Sequence, residues 1–166
     1  MNAGAFGGET WRHVTEVETI DRHGRLHKRS VGEYSVSYRH VAGPAVDEWF
    51  VASRLIFDRK PGVNESQVRS LLERRKASQP IGEWSCGSVF TNPPGDHAAR
   101  LIEASDLKGF RIGDASVSVK HANFIINHGK ATAADLERLI AHVQDTVERL
   151  HGVRLKPEVR IMGVAA

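Results

Sequence analysis

The chain has 166 residues, of which 40% are hydrophobic and 26% charged, and its mean hydropathy is -0.34. These values are typical of a globular protein and exclude whole-chain disorder, and no apolar run reaches the roughly 20 residues that a membrane-spanning helix needs. The single cysteine, Cys86, excludes a disulfide framework, and the first residues lack the basic start and apolar stretch of a signal peptide. We therefore expect a cytoplasmic protein with no membrane segment.

The net charge of +3 reflects only a slight excess of 23 basic over 20 acidic residues, which admits an anionic partner without naming one. The densest basic cluster, Arg74-Arg75-Lys76, lacks the interleaved aromatic residues of a single-strand nucleic-acid platform. A solvated helix end explains this cluster more simply. We therefore expect no nucleic-acid binding, and this function is the most distant alternative.

The glycine-rich start, residues 1–9, suits tight turns or close approach of the backbone to a ligand, with a loose terminus as the alternative. Residues 14–20 then run into a turn at 21–24 and return as residues 25–28, which predicts a hairpin. Two segments rich in aromatic and β-branched residues, 33–39 and 49–57, extend the predicted sheet.

A polar segment with proline and glycine, residues 58–62, predicts the end of this first lobe. Asn64, with Gln67 three residues on, predicts a helix with a capping box and with Val68, Leu71 and Leu72 on one face. That helix should end before Pro80.

A glycine-rich turn follows at residues 85–88, and then come a short helix over 97–104 and three short strands. These predicted strands are residues 110–112, 116–119 and 123–127.

The longest predicted helix begins at Thr132, with Asp135 as its capping partner, and ends at His151-Gly152. One face carries its apolar residues: Leu136, Leu139, Ile140, Val143, Val147 and Leu150. Residues 153–155 and 159–161 predict a last strand pair, or one bent strand around Pro157. Because strands and helices do not alternate regularly, the pattern favours an α+β fold over a doubly wound sheet.

Few residues stand out as chemical candidates by themselves. Ser88 lies in an exposed turn but lacks the second glycine of a nucleophile elbow, which argues against an acyl-transfer hydrolase and leaves a plain turn serine as the alternative. No spacing gives Cys86 a histidine partner, and no ligand pattern completes a metal site at His121 and His128. Glu158 lies at the start of the last predicted strand, and by itself it is most simply interpreted as a surface carboxylate.

The stretch from residue 85 to 93, Ser-Cys-Gly-Ser-Val-Phe-Thr-Asn-Pro, resembles the catalytic serine turn of the UDP-N-acetylenolpyruvoylglucosamine reductase family. These flavoenzymes act in bacterial peptidoglycan precursor synthesis. Residues 1–7 resemble the family's flavin-contacting loop, and Tyr38-Arg39 resembles its tyrosine-arginine pair. Later segments, between residues 107 and 159, match in the same order, so the resemblance covers the chain from Met1 to about Gly163.

The resemblance implies NADPH- and FAD-dependent reduction of UDP-N-acetylglucosamine enolpyruvate to UDP-N-acetylmuramate by a monomer without a metal. It implies an FAD-binding lobe of mostly antiparallel strands over residues 1–58, present only in part, and an α+β substrate-binding domain over 59–166. The implied catalytic residues are Ser88 as proton donor and Arg39 and Glu158 as groups that polarise the substrate carboxylate. The implied substrate contacts are Tyr38, Asn92 and Asn123, and the implied cofactor contacts are Asn2, Ala3, Gly4, Ala5 and Gly7.

Three departures from the family pattern matter. Thr91 replaces the usual lysine or arginine, which should weaken a contact to the substrate phosphates, and Asp106 stands where a glycine is common. Relatives also carry a further N-terminal lobe with a glycine-rich loop for the flavin diphosphate. We therefore expect the C-terminal part of a reductase, with poor flavin retention; the alternative is a non-catalytic UDP-sugar-binding module without turnover.

Overall fold

The computed structural model describes residues 1–59, 62 and 64–163, which belong to two compact units, Met1–Gly62 and Val63–Ala166. The predicted boundary segment lies partly outside the described residues, at Lys60 and Pro61. The placement of the domain boundary between residues 58 and 59 stays a prediction.

Antiparallel strands build the described part of the first unit. They are β1 (Gly4–Ala5), β2 (Gly8–Glu9), β3 (Val14–Asp21), β4 (Leu26–Ser30), β5 (Ser35–Ser37), β6 (His40–Ala42) and β7 (Glu48–Leu55). Short 3-10 helices cover Thr10–His13 and Val31–Glu33. Strand β3 lies between β4 and β7, whereas β1 pairs with β2 and β5 pairs with β6.

The hairpin predicted around Asp21 is confirmed, because β3 and β4 pair in antiparallel register with Ile20 opposite Leu26. Asp21 Oδ1 accepts hydrogen bonds from the main-chain N–H groups of His23 at 2.8 Å and Arg25 at 3.0 Å. Hydrogen bonding of an aspartate side chain to its own following backbone is a common way to fix such a turn.

The prediction of one strand over residues 33–39 is wrong in its length. Only β5 is extended there, and it pairs with β6 so that Ser37 lies opposite His40. Tyr38 and Arg39 therefore form the turn, where Arg39 adopts a left-handed φ of 55°. A residue with a side chain seldom adopts this conformation without compensating contacts.

The second unit combines helices α1 (Glu65–Ser78), α2 (Ala98–Ala104) and α3 (Ala133–His151) with strands β8 (Arg111–Ile112), β9 (Ala115–Val117) and β10 (Ile125–Asn127). The strands form an antiparallel sheet in the order β10-β9-β8, each shorter than predicted. Mixed helices and antiparallel strands confirm the α+β prediction. Among the described residues, no helix has the length and apolar character needed to cross a bilayer.

Helix α3 packs on α2, β8 and β9 and supplies much of the core of this unit. Its predicted capping box is present, since Thr132 Oγ1 accepts from Asp135 N at 3.1 Å and Asp135 Oδ2 accepts from Thr132 N at 2.9 Å. Gly152 ends the helix with a left-handed φ of 68°. Leu150, predicted on the buried face, is exposed because it lies in the last turn.

Helix α1 starts as predicted at Asn64, whose Oδ1 accepts from Gln67 N at 3.2 Å. Its apolar residues Val68, Leu71 and Leu72 are nevertheless exposed, and none of its residues is buried. Apolar periodicity thus located the helix without locating a buried face.

The predicted strand pair over residues 153–155 and 159–161 is wrong. Among the described residues, this segment makes one isolated bridge, between Pro157 and Phe90. Its main chain bonds instead to residues 88–91, the serine segment, with Thr91 N donating to Lys156 O at 2.9 Å. Proline has no N–H to donate, so a regular ladder through Pro157 is disfavoured.

Candidate functional site

Ser88 begins a short extended segment that lies between two other pieces of main chain. One isolated antiparallel bridge joins Ser88 to Phe124, and another joins Phe90 to Pro157. Gly87, directly before the serine, has a left-handed φ of 83°, which glycine adopts without strain. The serine is half-buried, whereas Phe90 is fully buried in the core.

Glu158 is brought next to this serine segment by the main chain. Val89 O accepts a hydrogen bond from Glu158 N at 2.8 Å, and Val89 N donates to Asn123 O at 2.9 Å. Glu158 is half-buried, like Ser88. Glu158, distant from Ser88 in the sequence, is therefore bonded to the residue that directly follows Ser88.

Asn123, predicted as a substrate contact, is engaged with the protein itself. Its Oδ1 accepts from Phe90 N at 2.9 Å, and its Nδ2 donates to Phe90 O at 2.7 Å. Only 4% of the residue is exposed. Its assignment to substrate binding stays a prediction.

Asn92 follows the serine segment at an exposed position. Its Oδ1 accepts from Ala98 N at 3.0 Å and so caps the start of α2. The neighbouring Thr91 donates through Oγ1 to Lys156 O at 3.2 Å. The side chain of Thr91, the departure from the family pattern, thus bonds to the main chain of Lys156.

Two further groups near this segment have altered acidities. Burial raises the pKa of the Cys86 thiol, which keeps it protonated and weakly nucleophilic at neutral pH. Burial also lowers the pKa of His121, which favours the neutral imidazole, and its Nδ1 accepts from Asn123 N at 3.3 Å. The sequence pattern did not predict this contact of His121 with Asn123, although the two residues lie only two positions apart.

In the first unit, Arg39 is tied to the glycine-rich start of the chain. Its Nη1 donates to Asn2 O at 3.2 Å, and its Nη2 lies 3.5 Å from Gly4 O. The guanidinium carbon lies 5.0 Å from the centre of the Tyr38 ring, a cation–π distance. The structure therefore brings together Arg39, Tyr38, Asn2 and Gly4 of the predicted site.

The Asn2 side chain faces inward and holds the loop in place, with 1% of the residue exposed. Its Oδ1 accepts from Trp11 N at 3.0 Å, and its Nδ2 donates to Glu9 Oε2 at 2.7 Å and to Ser37 O at 3.3 Å. These bonds connect the β1–β2 hairpin to β5. The glycine-rich start is thus a structured loop rather than the loose terminus of the alternative interpretation.

The remaining loop residues are compatible with a flat ligand lying against main chain. Ala3, Ala5 and Gly7 are exposed, and a Cβ at Gly7 would meet no atom within 4 Å. Gly4 serves the hairpin itself, because a Cβ there would stand 2.4 Å from Gly8 O. Ala3, Ala5 and Gly7 are therefore accessible on the outer side of this loop.

Within residues 1–59, 62 and 64–163, no group of three or more His, Cys, Asp or Glu side chains is placed to hold a metal ion. The predicted site residues are divided between the units: Tyr38 and Arg39 lie in the first, and Ser88, Asn92, Asn123 and Glu158 lie in the second.

Comparison with known proteins identifies close relatives. A UDP-N-acetylenolpyruvoylglucosamine reductase from Alkalilimnicola ehrlichii is 61% identical over 168 residues, covering 99% of this chain and 55% of the relative. One from Methylococcus capsulatus is 57% identical and covers 99% of this chain and 54% of the relative. The chain thus spans about half the length of these curated relatives.

A solved structure agrees with these relatives. The crystal structure of UDP-N-acetylenolpyruvylglucosamine reductase from Thermus caldophilus matches with a TM-score of 0.80 and 34% identity, over 96% of this chain and 57% of that one. The family model for the C-terminal domain of UDP-N-acetylenolpyruvoylglucosamine reductase matches residues 79–162, more than half of the chain and all four predicted site residues of the second unit. The chain belongs to the UDP-N-acetylenolpyruvoylglucosamine reductase family.

Proposed function

We propose that this chain acts in the NADPH- and FAD-dependent reduction of UDP-N-acetylglucosamine enolpyruvate to UDP-N-acetylmuramate in peptidoglycan precursor synthesis. The observation that carries the proposal is the bond from Glu158 N to the main-chain O of Val89, the residue directly after Ser88, at 2.8 Å. In this proposal, residues 1–58 contribute to the FAD-binding domain and residues 59–166 form the substrate-binding domain.

The reaction adds a hydride to one carbon of the enolpyruvyl double bond and a proton to the other. FAD, reduced by NADPH, supplies the hydride when bound. Hydride addition leaves negative charge on the neighbouring carbon and on the carboxylate attached to it. The protein must stabilise that charge and then deliver a proton.

Arg39 is suited to the first of these tasks. Its planar guanidinium is oriented by Asn2 O, Gly4 O and the Tyr38 ring. A positive group fixed before the reaction begins stabilises developing charge with little reorganisation. We assign Arg39 to the substrate carboxylate, with the exposed Tyr38 as a neighbouring substrate contact.

Glu158 is assigned to the same substrate carboxylate. In this assignment Glu158 polarises that carboxylate as negative charge develops on it. Its anchoring through Val89 O fixes the start of its side chain relative to Ser88.

Ser88 is assigned as the proton donor. A serine hydroxyl is a poor acid in water, so it needs to be held over the carbanion, where general acid catalysis is worth roughly 10²- to 10⁴-fold. The buried Val89 and Phe90 that follow it supply such an anchor. Asn92, exposed beside the same segment, is assigned to substrate binding.

Substrate binding by the purified chain tests the proposal. Calorimetric titration should show binding of UDP-N-acetylglucosamine enolpyruvate, and Arg39→Ala and Glu158→Ala should each weaken it. Absence of binding by the folded, unsubstituted chain contradicts the proposal.

Turnover separates an enzyme from a UDP-sugar-binding module. NADPH oxidation is measured with added FAD and substrate, first for the chain alone and then with the chain joined to the part of the Alkalilimnicola ehrlichii relative that lies outside the aligned region. We expect substrate-dependent oxidation in the joined protein and its loss in Ser88→Ala. Binding without oxidation in either form would identify a non-catalytic module.

A further inference from the structure

Asn123 contacts the serine segment in a way that the substrate-contact assignment does not explain. Its carboxamide pairs with both main-chain polar groups of Phe90, accepting from N at 2.9 Å and donating to O at 2.7 Å. Its own main-chain O accepts from Val89 N at 2.9 Å. One residue thus holds three main-chain polar groups directly after Ser88.

We propose that Asn123 is a positioning residue for the reaction: by holding Phe90 and Val89 it fixes the placement of Ser88 and Glu158. Its catalytic consequence rests on the proposed function, whereas its structural part stands on these contacts alone. It acts through Phe90 and requires no contact with the substrate.

A carboxamide is the side chain that this task needs. It presents one acceptor and one donor in a plane, as does the peptide group of a neighbouring strand. An ionised aspartate keeps the acceptor for Phe90 N but loses the donor to Phe90 O. Alanine leaves both buried main-chain groups without their partner, and such losses are costly because no water replaces the bond.

The segment that Asn123 holds leads directly to both reacting groups. Phe90 is preceded by Val89, whose O accepts from Glu158 N, and followed by Thr91, whose N donates to Lys156 O. The Phe90 side chain is anchored in the core, with 2% exposed. The Asn123 amide therefore holds Phe90 between Val89, which follows Ser88 and bonds to Glu158, and Thr91, which bonds to Lys156.

The surroundings of Asn123 hold it in turn. His121 Nδ1 accepts from Asn123 N at 3.3 Å, and Ser118 Oγ accepts from His121 N at 3.3 Å. The His121 ring also packs edge-on against Phe124, with centres 4.8 Å apart. These contacts limit the freedom of the Asn123 backbone before its side chain meets Phe90.

Hydrogen exchange in the chain tests the structural part. In the unsubstituted chain, one Nδ2 hydrogen of Asn123 and the Phe90 amide should exchange slowly. In Asn123→Ala, protection at Phe90 should fall about tenfold or more, as expected when a buried hydrogen bond loses its partner. Amides in the middle of α3, such as Leu139, should keep their protection.

Two variants control this result. Asn127→Ala removes an amide whose Oδ1 accepts from Gly129 N at 2.8 Å and Ala131 N at 3.1 Å, and it should leave Phe90 unaffected. Asn123→Asp serves as the second variant if Asn123→Ala does not fold. It keeps the size of the side chain and the acceptor for Phe90 N but loses the donor to Phe90 O, so the protection of the Phe90 amide should be intermediate. Rapid exchange of the Asn123 Nδ2 hydrogens in the unsubstituted chain, or unchanged Phe90 protection in folded variants, overturns the proposal.

Kinetics test the catalytic part in the joined protein described above. Asn123→Ala should lower kcat for the enolpyruvyl half-reaction by about a hundredfold, since a misplacement of about 1 Å has that effect, while flavin reduction by NADPH continues at its usual rate. The solvent deuterium isotope effect should rise as proton delivery becomes slower. An increase in KM alone, or equal losses in both half-reactions, contradicts a positioning role.

Absence of turnover without any substitution counts against the proposed function, and hydrogen exchange still decides the Asn123–Phe90 assignment.

Discussion

The main-chain oxygen of Val89 accepts a hydrogen bond from the Glu158 amide at 2.8 Å. This bond joins residue 158 to the segment that begins at Ser88, so that Glu158 is held by the residue directly after the serine. Because Val89 is also fully buried, movement of its main chain would disturb the core. The arrangement supports distinct, testable roles for the two side chains.

Replacing Ser88 by alanine should slow reduction of the enolpyruvyl substrate by roughly 10²- to 10⁴-fold, the usual contribution of a general acid. Flavin reduction by NADPH should survive, because it needs no proton from Ser88. Rapid-mixing spectroscopy of the joined protein follows each half-reaction separately. Ser66→Ala, in the exposed first turn of α1, is the matched control. Equal slowing of both half-reactions would show that Ser88 is not the proton donor.

Arg39→Lys should weaken substrate binding although it keeps the positive charge. The arginine donates through Nη1 to Asn2 O and approaches Gly4 O through Nη2, and a lysine ammonium cannot reproduce this planar arrangement. We expect a loss of about tenfold in affinity, the equivalent of roughly one charged hydrogen bond. Calorimetry on the purified chain measures it, with Arg25→Lys as the control. Equal affinities for the Arg39→Lys variant and the unsubstituted chain would contradict the assignment.

Glu48 should make the first unit sensitive to acid. Hydrogen bonds from Arg29 and Thr19 lower the pKa of Glu48 to about 2. Because the folded-state pKa lies below the unfolded-state value of about 4.3, this stabilisation is present above that value and is lost as the pH falls toward 2. Denaturant melts between pH 5 and pH 2 should show a shallower pH dependence for Glu48→Gln than for the unsubstituted chain. Glu137→Gln should keep the original dependence; identical slopes for all three proteins would exclude this contribution.

Gly113 should tolerate alanine worse than Gly152, although both have a left-handed φ. A Cβ at Gly113 would stand 2.5 Å from the Asp135 carboxylate, whereas one at Gly152 meets nothing within 4 Å. We expect Gly152→Ala to cost about 1 kcal/mol of unfolding free energy, the conformational part alone. Gly113→Ala should cost about 1 to 3 kcal/mol more, since its neighbour must shift. Urea unfolding of both variants compares them, and equal costs would show that Asp135 moves aside freely.

The elements that sequence analysis predicted well are those determined locally. The Thr132–Asp135 capping box and the turn at Asp21 both depend on hydrogen bonds within a few residues, so their residue types were sufficient. The glycine before Ser88 likewise predicted a turn there. Family resemblance, rather than any local pattern, supplied the roles of these site residues.

The elements that sequence analysis missed depend on distant partners. Residues 153–161 look like a strand pair, but their main chain bonds to the Ser88 segment, a choice that no local pattern reveals. Tyr38 and Arg39 have strand-like neighbours, and only the register of β5 with β6 makes them a turn. The hydrogen bonds of Asn123 with Phe90 could not be predicted either, because the two residues are distant in the sequence.

We propose that this chain supplies the groups that polarise and protonate an enolpyruvyl UDP-sugar while FAD reduces it. The most direct measurement is a single turnover in the joined protein, in which FAD is first reduced and then mixed with UDP-N-acetylglucosamine enolpyruvate. We predict flavin reoxidation with formation of one UDP-N-acetylmuramate per flavin, and strong slowing of both by Ser88→Ala. Reduced flavin that persists in the presence of bound substrate, or reoxidation at the same rate in Ser88→Ala, would contradict the account.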